Sequence, residues 1–110
     1  MDDLILTAAG GKLTAEPVCE IDHFRAVKIR EEIDHALYKE RPETLELRLG
    51  KVDFMDSSGI GLILGRYEKA KAIGCKTVIS SPTKRVSRLL TMSGIDRIIK
   101  IEVNEGEKNA

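Results

Sequence analysis

The sequence predicts an α/β fold, a small and largely parallel sheet covered by helices. Strand-like and helix-like segments alternate along the chain, and the connections between them are short. At 110 residues, with 42% hydrophobic and 33% charged side chains, the composition is that of one globular domain, which excludes wholesale disorder, collagen and coiled coil.

The elements follow in order. Leu4–Ala8 is a short apolar run closed by Gly10-Gly11, and Lys12–Val18 is a second run, so the two predict an antiparallel hairpin. Asp22 precedes a helical stretch over about Phe24–Lys39. There Ala26, Ile29, Ile33, Ala36 and Leu37 share one face, and Pro42 stops the helix. Thr44–Leu49 alternates Leu45, Leu47 and Leu49 with Glu46 and Arg48, as a strand does. Asp56-Ser57-Ser58-Gly59 then reads as a helix start, ahead of the apolar positions Ile60, Ile63, Leu64, Tyr67 and Ala70. That helix ends near Ile73, with Gly74 as its C-terminal cap. Thr77–Ser80 is a buried-type strand. Pro82 opens a third helix at its first turn, with Val86, Leu89 and Leu90 inward and Ser93-Gly94 at its end. Ile98–Ile101 is a last apolar segment, and Glu102–Ala110 is a polar tail expected to fray.

Composition also narrows function. The 18 basic and 18 acidic residues cancel, so the electrostatic excess of a nucleic-acid binder is missing. The balance is uneven, however. Residues 1–55 hold 12 acids and 8 bases (−4), and residues 56–110 hold 6 acids and 10 bases (+4), which is either solvated helix surface or a surface with an acidic complement. Cys19 and Cys75 form no C-x-x-C and the two histidines no ligand pair, so no zinc site is expected and both thiols read as free. No apolar run reaches the roughly 20 residues of a membrane span, and the start Met1-Asp2-Asp3-Leu4 is acidic, unlike a targeting peptide. The expected address is the cytoplasm, with no membrane contact.

The informative stretch is Met55–Tyr67, and three readings of it compete. Gly59-x-Gly61-x-x-x-Gly65 approaches a dinucleotide fingerprint, but its last spacing is one residue too long. The next strand ends in Ser80-Ser81, with no carboxylate to hold a ribose. A nucleophilic serine would need G-x-S-x-G, whereas Met55 and Asp56 stand two residues before Ser57 and Ser58. His35 sits among helix charges, while His23, after Asp22, leaves a Ser-His-Asp arrangement open. In the third reading Asp56 or Ser57 caps a helix whose glycines pack closely on the sheet, and Met55 and Ile60 beside it are either exposed contacts or core. A serine at a helix start is exposed beside free N–H groups and tolerates a phosphate, which adds about −1.5 to −2 charges.

The stretch Phe54–Tyr67 closely resembles the bacterial anti-sigma factor antagonists of the STAS (sulfate transporter and anti-sigma factor antagonist) domain family, most of all their sporulation branch. The likeness extends through Ile21-Asp22-His23, Gly74, Pro82, Val86, Arg88-Leu89 and Met92-Ser93-Gly94 to Ile98-Ile99. The resemblance implies one STAS domain over residues 1–110, a mostly parallel mixed sheet with about four helices. It implies a regulator of transcription, not an enzyme, that uses no cofactor. The unphosphorylated form would bind an anti-sigma factor that is also an ATP-using serine kinase, ATP- or ADP-bound, and so release a sigma factor. Phosphorylation on Ser57 would switch it off and a serine phosphatase would reset it. The implied partner surface is Ser57 with Asp56, Ser58, Gly59 and Met55, plus the acidic loop Glu20 and Asp22; Cys19 stands where the family usually has Gly. The alternative is a STAS-like ligand- or scaffold-binding module without a phospho-switch.

Overall fold

The computed structural model describes residues 3–103; positions 104–110 of the expected tail lie outside the described residues. The chain runs β1 (Leu4–Ala9), β2 (Lys12–Pro17), α1 (His23–Glu40), β3 (Thr44–Arg48), α2 (Ser57–Ala72), β4 (Lys76–Ser80), α3 (Lys84–Met92), a 3₁₀ turn (Ile95–Arg97) and β5 (Lys100–Glu102). The five strands form one sheet in sequence order, with β1–β2 antiparallel and the other neighbours parallel. The family likeness implied about four helices; among the described residues there are three, plus the 3₁₀ turn.

That strand order decides where the helices go. Each crossover from β2 to β5 steps to the adjacent strand in the same direction, and crossovers of one hand then carry every helix to the same face. The packing agrees. Leu13 and Ala15 of β2, Leu45 and Leu47 of β3 and Ile79 of β4 share one core with α1, α2 and α3, while Val78, on the opposite face, stands outside it. The sheet is therefore covered on one side. Its other face carries Lys12, Thr14, Glu46 and Arg48, with Lys12 Nζ 3.2 Å from Glu46 and the Ser80 hydroxyl donating to the same carboxylate.

Local chemistry sets the ends. Gly10 and Gly11 turn the hairpin at positive φ. Asp22, Asp56 and Thr83 cap the three helices, each accepting a first-turn N–H. The third helix differs from its sequence expectation: Thr83 caps it and Lys84 begins it, so Pro82 lies just before the cap and not in the first turn. Glu102, read as tail, is the last residue of β5. Helix α1 ends as Arg41, forced out of the helical region by the following Pro42, turns left-handed (φ 46°). Among the described residues, no helix is long and apolar enough to cross a membrane.

Helices α1 and α2 are also tied by charge. Arg66 is 4% exposed and its Nε lies 2.7 Å from Asp34 Oδ1, a close ion contact set at an angle unlike a hydrogen bond. Burial lowers the Arg66 pKa, and the Asp34 carboxylate opposes that shift. Removing Arg66 leaves the partly buried Asp34 with the exposed Lys69 Nζ at 3.9 Å as its remaining ion-pair partner among the described residues, so Arg66→Ala should cost about 3 kcal/mol in urea unfolding. The paired replacement Asp34→Leu with Arg66→Met should recover most of it.

Candidate functional site

The site starts from a backbone connection. After β2 the chain reaches Ile21, whose N–H donates to the Phe54 carbonyl at 3.0 Å, and whose carbonyl accepts from the Asp56 N–H at 3.2 Å. This single parallel bridge, Ile21 to Met55, fastens the loop before α1 to the loop before α2. The next residue on each strand of the bridge is a helix cap. Asp22 accepts from the Arg25 N–H at 2.8 Å, and Asp56 from the Ser58 N–H at 2.8 Å. Two helix N-termini, which share a partial positive charge, are thus held side by side. The α2 loop is fixed from a third side as well, since the Thr83 hydroxyl donates to the Val52 carbonyl at 3.3 Å.

On this frame Ser57 is the first residue of α2. It is exposed, and its hydroxyl takes part in none of the side-chain hydrogen bonds among the described residues. The cap is Asp56 and not Ser57, which leaves the Ser57 hydroxyl without a structural duty. Ser58 is half-buried and turns toward a groove of about 290 Å³ between α1 and α2, shared with His23, Arg30, Gly61, Gly65 and Arg66. His23 lines the groove together with Ser58, and no hydrogen bond joins it to either serine. Glu20 is exposed and directly precedes the bridge, and Asp22 is half-buried beside it.

Two sequence expectations change here. Met55, expected in the partner surface, is 3% exposed and sits under α2. A bridge residue alternates inward between outward neighbours, so Met55 supports the site and Phe54 faces solvent. The glycines do not all pack on the sheet. A Cβ on Gly59 would lie 2.7 Å from the Met55 Sδ and 2.9 Å from its Cβ, so glycine is required there, whereas Cβ atoms on Gly61 and Gly65 would meet nothing within 4 Å. Ile60 is half-buried against the core.

Three large apolar side chains missed as functional candidates are exposed. Phe24, in the first turn of α1, is 83% exposed, Phe54 is 44% exposed and Met92 is 77% exposed. Phe24 had a signal in the sequence: it lies roughly opposite the Ala26–Ile29–Ile33 stripe on a helical wheel. Burial raises the pKa of both thiols, Cys19 and Cys75, which keeps them protonated and poor nucleophiles.

The glycine geometry predicts opposite signs within one helix. Gly59→Ala should destabilise by about 1–3 kcal/mol through overpacking on Met55. Gly61→Ala and Gly65→Ala should stabilise by up to about 1 kcal/mol each through helix propensity. Urea titrations of the three variants check it.

Comparison with known proteins places this arrangement. The STAS domain profile matches residues 6–108. The anti-sigma F factor antagonist of Paenibacillus polymyxa is 38% identical over 86 residues, covering 78% of this chain and 74% of that protein. The anti-sigma-B factor antagonist of Listeria monocytogenes is 32% identical over 90 residues, covering 82% and 78%. The structure of the anti-sigma factor antagonist SpoIIAA in its unphosphorylated form superposes with a TM-score of 0.80 at 26% identity, over 96% of this chain and 91% of that one. With its single mixed sheet, helices on one face and the matched span, the chain belongs to the STAS domain family, among the anti-sigma factor antagonists.

Proposed function

We propose that this protein is an anti-sigma factor antagonist that works as a phosphorylation-controlled partner switch. In its unphosphorylated form it binds an anti-sigma factor with serine-kinase activity and so frees a sigma factor. The kinase transfers a phosphoryl group from ATP to Ser57, the complex separates, and a serine phosphatase restores the binding form. The observation that carries the reading is the position of Ser57: exposed, first in α2, next to a capping aspartate and on a loop fastened at Ile21 and Thr83.

The physics suits a switch that acts without refolding. A dianion at a helix N-terminus is favoured by about 0.3–1 kcal/mol from the helix dipole, and the exposure of Ser57 leaves its repulsion with the Asp56 carboxylate screened by water and salt. The fold then tolerates the phosphate, and the partner does not. One unit charge brought within 4 Å of a partner carboxylate costs about 4 kcal/mol at an effective dielectric of 20, about a thousandfold in affinity. Asp56 and Asp22 act as caps that position the surface. Gly59 permits the close approach of α2 to Met55.

Since Asp56 supplies the cap, Ser57→Ala should change stability by less than about 0.5 kcal/mol. It should bind the anti-sigma factor whether or not ATP is present. Ser57→Asp should fold normally and bind about a hundredfold more weakly, read by titration calorimetry. Binding of Ser57→Asp at wild-type strength would contradict the electrostatic switch.

A further inference from the structure

The basic half of the chain has a place in the fold that the switch residues do not use. Helix α3 has the sequence KRVSRLLTM and contains no acidic residue. Its Lys84, Arg85 and Arg88 are exposed, and none of the ion pairs among the described residues involves them. Between α3 and the loop before α2 lies a cleft of about 190 Å³, lined by the buried Met55 and Val86, by the more exposed Phe54, Leu89 and Met92, and by the exposed Arg85 and Arg88. Phe54 is three residues before Ser57, and Met55, which also lines the cleft, is the residue packed beneath Gly59. The cleft is therefore built in part from the same loop that leads into Ser57.

We propose that this cleft is a second docking point for the same anti-sigma factor, receiving an apolar side chain flanked by carboxylates; the proposal rests on the partner-switch reading above. An apolar centre within a charged rim is the anatomy of a protein interface, and a standard interface of about 800 Å² per partner is wide enough to span both the cleft and Ser57. The arginines select acidic neighbours for the apolar anchor. A second copy of this chain is a poor occupant, because a two-fold contact across the cleft would set each pair of arginines against its own copy. Nucleic acid is a poor occupant too: the chain is neutral overall, and three cations fall short of the roughly 6–10 phosphate contacts of a strong binder. The arrangement also divides the labour. The arginines attract an acidic partner before contact, and the phosphate acts only on the docked edge around Ser57.

The test is titration of the purified cognate anti-sigma factor, at low and high salt, with four full-length proteins: wild type, Ser57→Asp, Arg85→Glu with Arg88→Glu, and Met92→Ser. Circular dichroism checks folding, and Arg85→Gln with Arg88→Gln serves as a milder pair. The arginine pair should lower affinity by about tenfold or more at low salt, with the deficit shrinking as salt rises. Met92→Ser should lower it by about tenfold independently of salt. If both variants bind like wild type while Ser57→Asp does not, the cleft is no docking point and the switch reading stands. If wild type does not bind at all, the switch reading fails and this proposal with it. A wild-type dimer that Met92→Ser dissociates would overturn the proposal in favour of a second copy.

Discussion

The bridge between Ile21 and Met55 is two hydrogen bonds long, and most of what matters at the proposed switch depends on it. It sets the start of α1 beside the start of α2, and so brings together two aspartate caps that lie 34 residues apart in sequence, Asp22 and Asp56. It also fixes the inward turn of Met55, and Met55 in turn demands glycine at position 59. A loop held at both edges presents Ser57 in one geometry. In the proposed switch, charge added there acts on whatever is docked and not on the loop itself.

The rest of the fold serves that corner. Strands added one after another in a single direction leave all three helices on one face, so their N-termini fall along one edge of the sheet. The pair Arg66–Asp34 holds α1 against α2 further along, and Thr83 ties α3 to the loop that carries the site. The open face of the sheet is kept soluble by charge. Burial would push the Glu46 carboxyl up, but hydrogen bonds from Ser80 and Lys12 and the charges of Lys12 and Arg48 hold it below the ordinary carboxylate range. Its contribution to stability is present above the ordinary pKa and is lost as pH falls through the lowered value.

Much of this was legible in the sequence because it is local. The alternation in Leu45, Leu47 and Leu49, the stripe through Ala26, Ile29 and Ile33, and the Asp-Ser-Ser-Gly start of α2 each report their own surroundings within a few residues. What sequence reasoning misplaced depends on distant neighbours. Met55 is buried because the bridge to Ile21 turns it inward, and nothing near position 55 says so. Gly61 and Gly65 read as packing glycines, yet they face an open groove whose width is set by the spacing of α1 and α2. Pro82 carries a strong helix-start signal, but the Thr83 hydroxyl, anchored on Val52, takes the cap one residue later. Phe54 and Met92 come from separate segments and line one cleft only in the folded chain.

In the proposed switch, one hydroxyl at the start of α2 carries the regulation. The most direct measurement is intact mass with site mapping after incubating the protein with ATP and its cognate anti-sigma factor kinase. The expected result is a gain of one phosphate, located on Ser57 and absent from Ser57→Ala. A phosphate mapped to Ser58, or no phosphate on a folded protein that binds the kinase, would contradict it.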